Sequence, residues 1–205
     1  MNNVTALNLV KVYCDNSKEY DFYEFGVYSG HGLRDAVSVL VNQDGLNIRK
    51  FLGFDSFVGL PPEDKNVACS KDWFEGQFNA VSFHGVTSID EAIAKVKAGV
   101  PISEDRLEFI VGYYSETLTS ELAKSYKPAA YVHMDVDMYT SCVDCLKFLT
   151  ENNLWINGTI IRYDDWYGTE EYKGGESLAH KEAIKKYVLK FDEIDKQVYV
   201  YRGID

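Results

Sequence analysis

The sequence lacks the features of membrane-spanning and secreted proteins. No stretch approaches the roughly 18 apolar residues that a membrane span needs, and the N-terminus has no basic region followed by an apolar core. Four cysteines in 205 residues are too few for a disulfide scaffold. We therefore expect a cytoplasmic protein that has no membrane partner.

Cysteine motifs are equally sparse. Cys142 and Cys145 form a C-x-x-C pair, which can indicate redox chemistry or half of a zinc site. No second pair of Cys or His residues lies at metal-ligand spacing in the sequence. We interpret the two cysteines as small residues on one face of a helix.

Positive charge is also scarce. The chain has 21 Lys and Arg residues against 32 Asp and Glu residues, which gives a formal net charge of -11. The average field of such a protein repels nucleic acids and anionic membranes. The composition therefore favours a small molecule or a cation as the partner. The sequence leaves the oligomeric state open, and a homodimer is one candidate because dimers are the commonest assembly of soluble enzymes.

Apolar runs of strand length alternate with segments of helical period. This alternation predicts an α/β fold with a doubly wound, mostly parallel, Rossmann-like sheet in a single domain over residues 1–205. The predicted strands are 22–28, 51–56, 107–114, 129–137 and 159–165, with a closing, antiparallel strand at 197–204 at or near the sheet edge. The predicted helices are 33–41, 88–99 with a capping box at Ser88 and Glu91, 116–126, a helix capped by Ser141 that runs to Asn152 or Asn153, and 176–189.

Residues 59–85 interrupt this alternation and show no convincing period. Loops of this length in compact domains are usually functional covers or disordered segments. The aromatic residues Trp73, Phe74, Phe78 and Phe83 argue against disorder. We therefore predict that this part of the chain, called the cover segment below, covers the active site.

A glycine-rich turn follows the first predicted strand, with glycines at Gly26, Gly30 and Gly32. Glycines let the backbone turn sharply and approach a ligand closely, and the next helix offers free N–H groups. The second strand ends at Asp55, where α/β folds place a carboxylate that binds ribose hydroxyls. Alternatively, the glycine-rich turn binds no ligand, and Asp55 only caps the turn that follows it. Together the two features favour an adenosine-containing cofactor.

Four aspartates follow two successive predicted strands: Asp135 and Asp137 leave one, and Asp164 and Asp165 leave the next. Like charges about 4 Å apart repel by roughly 4 kcal/mol at an effective dielectric constant of 20, so the cluster requires raised pKa values or a cation. Oxygen ligands favour Mg²⁺, Mn²⁺ or Ca²⁺ over Zn²⁺, and a small ligand number suits Mg²⁺. The alternative to a metal site is that these aspartates only cap the helices and turns that follow them. His133, in the same apolar strand, is interpreted as a core side chain.

Seven segments of the sequence resemble the macrocin O-methyltransferase family, in order and at similar spacing. They are EFGVYSG, GFDSFVGLPP, DWFEGQFNAVS, VGYYSETL, HMDVDMYTS, GTIIRYDDWYG and GGESLAHKEAIKKY, and they span residues 20–200. The resemblance implies a class I methyltransferase fold with S-adenosylmethionine as the methyl donor. It also implies Mg²⁺- or Mn²⁺-dependent methylation of a hydroxyl on a sugar or another small molecule.

The same resemblance implies roles for individual residues. Asp135, Asp164 and Asp165 match the metal ligands, and Asp137 matches the carboxylate that takes the hydroxyl proton. The cofactor-binding residues that it implies are Glu24, Gly26, Tyr28, Ser29, Gly30, Asp55, Ser56, Gly112, Tyr113 and Ser115. For the acceptor we add a hypothesis of our own, in which the pocket wall is formed by Trp73, Phe78, Tyr139, Trp166 and Tyr167. Each of these aromatic residues could instead belong to the core.

Other functions also fit an apolar strand that ends in D-x-D. The sequence resembles the opening of haloacid-dehalogenase-type phosphohydrolases, which also use Mg²⁺, but those enzymes place Thr where this chain has Tyr139. A D-x-D glycosyltransferase and a non-catalytic binding module are further alternatives. The phosphohydrolase leaves the glycine turn and Asp55 unused, and the binding module leaves the aspartates unexplained. Methyl transfer is therefore the predicted function.

Overall fold

The strands in the described parts of the chain form one mixed sheet. The computed structural model describes residues 1–67, 73–166 and 175–204. The strands in these ranges are β1 (Glu19–Phe25), β2 (Asn47–Asp55), β3 (Leu107–Val111), β4 (Ala129–Met134), β5 (Ile160–Tyr163), β6 (Leu189–Asp195) and β7 (Val198–Ile204). They lie in the order β3-β2-β1-β4-β5-β7-β6. The expected α/β fold with a mostly parallel sheet is confirmed.

Helices connect and flank these strands. In the described ranges they are α1 (Asn3–Asn8), α2 (Val10–Tyr13), α3 (His31–Leu40), α4 (Ala80–His84), α5 (Ile89–Gly99), α6 (Tyr114–Thr117), α7 (Ser120–Ala123), α8 (Tyr139–Glu151) and α9 (Glu176–Tyr187), with a 3₁₀ turn at Glu104–Arg106. None of the helices seen in these parts of the chain combines the length and the apolar character that crossing a bilayer requires.

The strand order creates a crevice between β1 and β4. The chain winds from β1 towards β2 and β3 on one side, and β4 and β5 lie on the other side, all in parallel. In open α/β sheets, ligands bind beyond the carboxyl ends of the strands where the winding direction changes. The glycine turn follows β1 and Asp135 follows β4, so both lie at this position.

The central strands are buried on both faces. On β1, Phe22 belongs to the core cluster that includes Leu33 and Val96 from α3 and α5. Its neighbour Tyr23 belongs to a second cluster, which includes Leu149 from α8. Because successive strand residues point to opposite faces, each face of the sheet is covered by helices. This arrangement explains the near-continuous apolar runs in the sequence.

The predicted strands are correct in position, but several end earlier than predicted. β1 ends at Phe25, β3 at Val111, β4 at Met134 and β5 at Tyr163. The four aspartates therefore lie in loops beyond the strand ends. The closing strand β7 pairs antiparallel with β5 and with β6, as predicted, and the unpredicted β6 forms the sheet edge. β6 alternates buried and exposed positions too weakly to be recognised from sequence.

Two helix predictions are wrong in detail. The single helix expected at 116–126 is replaced by α6 and α7, because Thr119 accepts a hydrogen bond from the Leu122 backbone N–H and starts a new helix. Ser141 does not cap α8, which begins at Tyr139. The capping residue of α5 was predicted correctly, since the Ser88 hydroxyl accepts a hydrogen bond from the Glu91 N–H.

Candidate active site

A cavity of about 840 Å³ lies at the carboxyl end of the sheet. The glycine turn and the end of β2 line it on one side. The loops after β4 and β5 form another part of its wall, and the cover segment contributes Leu60, Trp73 and Phe78. The cavity volume falls in the range of small-molecule sites, about 300–1,000 Å³.

Gly26 brings the glycine turn against the end of β4. Its φ angle is 87°, which favours glycine, and a Cβ atom built there would lie 1.7 Å from the Asp135 carbonyl oxygen. The Asp135 N–H donates to the Phe25 carbonyl at 2.9 Å, so the two loops are joined at their bases. No other residue type fits this contact.

Asp55 fixes the conformation of the same turn. One of its carboxylate oxygens accepts hydrogen bonds from the N–H groups of Val27 and Tyr28, at 2.7 and 2.8 Å, and the other accepts from Phe57 at 2.6 Å. Burial raises the pKa of Asp55, and these hydrogen bonds oppose the rise. Asp55 also lines the cavity.

The four aspartates converge as the sequence predicted. We call Asp135, Asp137, Asp164 and Asp165 the acidic rim; all four line the cavity. One carboxylate oxygen from each of Asp135, Asp137 and Asp165 lies within 4.8 Å of the other two. The parallel pairing of β4 with β5 causes this convergence, and the Asp164 N–H donates to the Met134 carbonyl at 2.9 Å.

The rim carboxyls are hard to ionise together. Burial, reinforced by the charges of Asp164 and Asp165, raises the pKa of Asp135 to about 7. Burial and the adjacent Asp165 and Asp135 raise the pKa of Asp137 to about 9. A divalent cation among these oxygens would offset both effects. The donor set consists of carboxylate oxygens, which fits a hard cation such as Mg²⁺ or Mn²⁺.

Glu176 holds the two rim loops in place. It lies at the start of α9, is fully buried, and accepts hydrogen bonds from the Val136 and Asp165 N–H groups at 3.1 and 2.9 Å. Burial raises its pKa well above the usual range. One carboxyl group thus links the loop after β4 to the loop after β5.

Glu63 links the cover segment to the same region. Its carboxylate accepts hydrogen bonds from the backbone N–H groups of Tyr139 and Thr140 and from the Thr140 hydroxyl, at 2.6–3.4 Å. These N–H groups belong to the first turn of α8, where Met138 offers no side-chain cap. Glu63 therefore takes the capping role that the sequence suggested for Ser141.

The family model described as macrocin-O-methyltransferase (TylF) matches residues 3–202. The chain belongs to the macrocin O-methyltransferase family. It is therefore an O-methyltransferase, and the resemblance carried by the seven sequence segments is confirmed. The family also favours methyl transfer over the phosphohydrolase alternative. No curated protein gives a significant match to the chain.

Solved structures similar to this chain share its fold at low sequence identity. The calicheamicin methyltransferase CalS11 is 18% identical with a TM-score of 0.72, and the alignment covers 97% of this chain and 76% of CalS11. The O-methyltransferase NovP is 20% identical with a TM-score of 0.64, over 100% of this chain and 78% of NovP. The SAH-bound Podospora anserina methyltransferase PaMTH1 is 13% identical with a TM-score of 0.50, over 99% and 76%.

Most of the predicted site residues line the cavity. They are Gly26, Tyr28, Asp55, Ser56, Gly112, Tyr113, Ser115, Trp73, Phe78 and the four rim aspartates. Glu24, Ser29 and Gly30 are not among the lining residues. Glu24 is 1% exposed and lies beneath the turn, where its carboxylate contacts His133 at 2.8 Å.

Two predicted wall residues require correction. Trp166 does not line the cavity; its ring packs against Tyr163, His180 and Tyr199. Tyr139 is also absent from the wall, and its hydroxyl bonds to Glu182. Both residues directly follow loops of the acidic rim. The sequence alone does not show whether a side chain at such a position points into the cavity or away from it. Tyr167 lies outside the described residues.

Sequence reasoning missed three residues that support this site. Two are Glu63 and Glu176, and the third is Arg162, whose guanidinium donates to the Asp164 carboxylate at 2.6 Å. Arg162 left a recognisable signal, because it is a charged residue within the apolar run of β5. Glu176 and Glu63 left none, since a glutamate near a helix start or in a loop is common. Their partners become visible only in three dimensions.

Proposed function

We propose that this protein transfers a methyl group from S-adenosylmethionine to a hydroxyl of a sugar or related small molecule, with Mg²⁺ or Mn²⁺ bound at the acidic rim. One observation carries the proposal: the glycine turn and the acidic rim line the same cavity and touch at Gly26 and Asp135. A donor on the turn and an acceptor hydroxyl on the rim would therefore be held side by side. Alignment of this kind is the main requirement of an in-line transfer.

Family membership supports the donor, as does the fold shared with PaMTH1, whose structure contains SAH. S-adenosylmethionine supplies an electrophilic methyl group on a sulfonium. The chain offers it the turn at Gly26 and Tyr28, the carboxylate of Asp55, and the stretch from Gly112 to Ser115. All of these groups line one side of the cavity.

The acidic rim supports the metal. Asp135, Asp164 and Asp165 are the proposed ligands, and a divalent ion there would lower the pKa of a bound hydroxyl and orient its oxygen. Asp137 is the proposed general base. Its carboxyl is largely buried beside Asp135 and Asp165, and a divalent ion bound at the rim would favour the ionised form that a general base requires.

One similar solved structure and the cover segment support a sugar acceptor. One CalS11 structure is described as a TDP-rhamnose 3'-O-methyltransferase, with 16% identity, a TM-score of 0.59 and coverage of 97% of this chain and 78% of that one. Here, Trp73 and Phe78 contribute aromatic surface to the cavity wall. We propose that the cover segment, residues 59–85, closes over the acceptor and excludes water.

The experiment is a calorimetric titration with S-adenosylmethionine, together with a labelled-methyl transfer assay on nucleotide sugars and simple glycosides, each with Mg²⁺ or with EDTA. We expect cofactor binding, and methyl transfer that EDTA abolishes and Mg²⁺ restores. Gly26→Ala should lose cofactor binding because its methyl group meets the Asp135 carbonyl. Gly99→Ala is the matched control, since the nearest atom to its added Cβ is 4.0 Å away.

Two results would contradict the proposal. Equal cofactor affinity in Gly26→Ala, with its fold confirmed by circular dichroism, would remove the turn from the binding site. Methyl transfer that is fully active in EDTA would remove the metal. Release of phosphate from a generic ester, without cofactor binding, would instead support the phosphohydrolase.

A further inference from the structure

A buried row of three side chains runs across the sheet below the acidic rim. Glu24 on β1, His133 on β4 and Arg162 on β5 are direct neighbours in the strand register. His133 Nδ1 lies 2.8 Å from a Glu24 carboxylate oxygen, and His133 Nε2 lies 2.9 Å from Arg162 Nη1. The same Arg162 nitrogen is 2.6 Å from a carboxylate oxygen of Asp164.

The partners determine the tautomer of His133. An arginine side chain has only donors, so Arg162 donates its hydrogen bond and His133 Nε2 accepts it. The other ring nitrogen, Nδ1, then carries the proton and donates to Glu24. These two contacts favour the Nδ1–H tautomer of His133, whose Nε2 lone pair points at Arg162 Nη1, and the same nitrogen of Arg162 contacts Asp164.

This arrangement has the form of a histidine metal ligand. A metal-binding imidazole usually donates its second N–H to a carboxylate, as His133 does to Glu24. His133, Asp135 and Asp164 each offer an atom within 4.8 Å of the others. His133 Nε2 and the Asp164 oxygen are 4.0 Å apart, and metal bonds to such ligands are about 2 Å long. Arg162 places its guanidinium between these two atoms.

We propose that Arg162 acts as a built-in cation that occupies the position between His133 and Asp164, and so confines divalent-metal binding to the carboxylate oxygens of the rim. Arg162 thus determines metal selectivity. This inference deepens the proposed function and rests on its metal dependence. Mixed nitrogen and oxygen sites suit Zn²⁺, Co²⁺ and Ni²⁺, whereas carboxylate sites suit Mg²⁺ and Mn²⁺.

Three properties of Arg162 suit this role. Its planar guanidinium holds several N–H donors in a fixed geometry, so one group contacts both His133 and Asp164. Its side chain is only 9% exposed, which limits screening of the guanidinium charge by water. Asp164 is 43% exposed and faces the cavity, so it keeps its second oxygen for the rim while Arg162 holds the first. Arg162 is a positioning residue because it acts through these two partners.

The test compares metal affinities in the wild type and in Arg162→Met, which keeps a long side chain without the charge. Calorimetric titrations use Mg²⁺, Mn²⁺, Zn²⁺ and Co²⁺ with no cofactor or acceptor present. We expect Arg162→Met to bind Zn²⁺ and Co²⁺ about tenfold more tightly than the wild type, or better, which is the scale on which groups around a metal site change its affinity. The double variant Arg162→Met/His133→Asn should lose this gain.

A second measurement needs only the wild-type chain. The ¹⁵N signals of the His133 ring are followed by NMR while Zn²⁺ is added, and the expected result is no metal-induced change at Nε2. Direct ligation of Zn²⁺ by His133 in the wild type would overturn the proposal. So would an Arg162→Met variant that folds without any gain in Zn²⁺ affinity, or a gain that persists without His133.

The outcomes separate this inference from the proposed function. A wild-type protein that binds neither Mg²⁺ nor Mn²⁺ would contradict the metal dependence, and the Zn²⁺ comparison would still decide the role of Arg162. A wild-type protein that binds Mg²⁺ at the rim, with Zn²⁺ affinity unchanged in Arg162→Met, would leave the proposed function intact and overturn the role of Arg162.

Discussion

Several residues around the cavity have left-handed backbone conformations. Tyr28, Phe78 and Asp137 all have positive φ angles, between 43° and 58°, and all line the cavity. Such conformations cost about 1–3 kcal/mol each and persist where the surrounding structure enforces them. For Asp137, the turn after β4 directs the carboxyl towards Asp165 rather than along the strand. The strain is concentrated where the chemistry is proposed.

The first prediction concerns Asp137. If its carboxylate removes the acceptor proton, Asp137→Asn should reduce kcat about 10²-fold or more, because an amide cannot accept that proton. Affinity for S-adenosylmethionine should stay nearly unchanged, since the proposed cofactor residues follow β1, β2 and β3 whereas Asp137 follows β4. Steady-state methyl transfer and calorimetry measure the two quantities. Asp44→Asn, an exposed isosteric change, is the control, and full activity of Asp137→Asn would discard the role.

The second prediction concerns His180, a buried residue whose Nδ1 shares a 2.7 Å hydrogen bond with the Tyr163 hydroxyl. Burial, with a smaller effect of Lys181, lowers its pKa from 6.5 to about 3. Below pH 6.5 the unfolded chain therefore binds a proton that the folded chain does not. Stability should fall as the pH drops, by about 1.4 kcal/mol per pH unit or roughly 2 kcal/mol between pH 6.5 and 5.

Urea unfolding at pH 7 and pH 5 tests this effect. The comparison is with His180→Gln, which cannot titrate but keeps an acceptor for Tyr163. All other ionisable groups are the same in the two proteins. Between pH 7 and pH 5, the free energy of unfolding of the wild type should therefore fall by about 2 kcal/mol more than that of His180→Gln. A difference that is independent of pH would show that His180 is accessible to protons in the folded state.

At the level of secondary-structure elements, two glutamates connect loops to the first turns of helices. Glu63 fastens the cover segment to the first turn of α8, and Glu176, at the start of α9, fastens both rim loops. Neither helix has a capping side chain of its own. The first turn of α8 is thus completed by a carboxylate from a distant part of the chain, whereas the Glu176 carboxylate of α9 holds two loops.

The third prediction follows from Glu176. In Glu176→Gln, one of the two backbone N–H groups would face an amide NH₂ instead of an acceptor, and the two rim loops would separate. Mg²⁺ affinity should fall about 10- to 100-fold, the usual effect of losing a group that orients metal ligands. Calorimetry measures it. Glu182→Gln changes an exposed glutamate of the same helix and is the matched control; equal Mg²⁺ affinities in the two variants would contradict the prediction.

The types of the elements could be predicted from the sequence because they follow from local periodicity. Apolar runs marked β1 to β5, and Ser88 with Glu91 marked the start of α5. The ends were less predictable: β4 stops at Met134, although the N–H of the next residue, Asp135, still bonds to the Phe25 carbonyl of β1. β6 and the break between α6 and α7 depend on exposed or polar residues, whose pattern is weak.

The site could be predicted in outline for a related reason. Asp135 and Asp164 were expected to meet because carboxyl ends of adjacent parallel strands share one edge, and they do. The direction of a side chain beyond a strand end was not predictable, so Trp166 was placed on the wrong side. Contacts between distant segments, such as Glu63 with α8, have no local signature in the sequence.

At the scale of the whole molecule, the acidic rim should make stability depend on divalent metal. Carboxyls that raise one another's pKa destabilise the folded state at neutral pH, and an ion that binds only that state adds RT ln(1 + [L]/Kd) to its stability. A concentration 100-fold above Kd contributes about 2.7 kcal/mol. For a domain of this size, each kcal/mol raises Tm by about 2–4 °C, so Mg²⁺ should raise Tm by roughly 5–10 °C.

Differential scanning calorimetry with Mg²⁺, and with NaCl at equal ionic strength, measures this shift. NaCl should reproduce little of it, because general screening does not bridge particular carboxylates. The double variant Asp135→Asn/Asp165→Asn should have a higher Tm than the wild type without Mg²⁺, since two repelling charges are gone, and should not respond to Mg²⁺. If Mg²⁺ stabilises this variant as much as the wild type, the ion binds elsewhere, and the electrostatic argument for the metal fails.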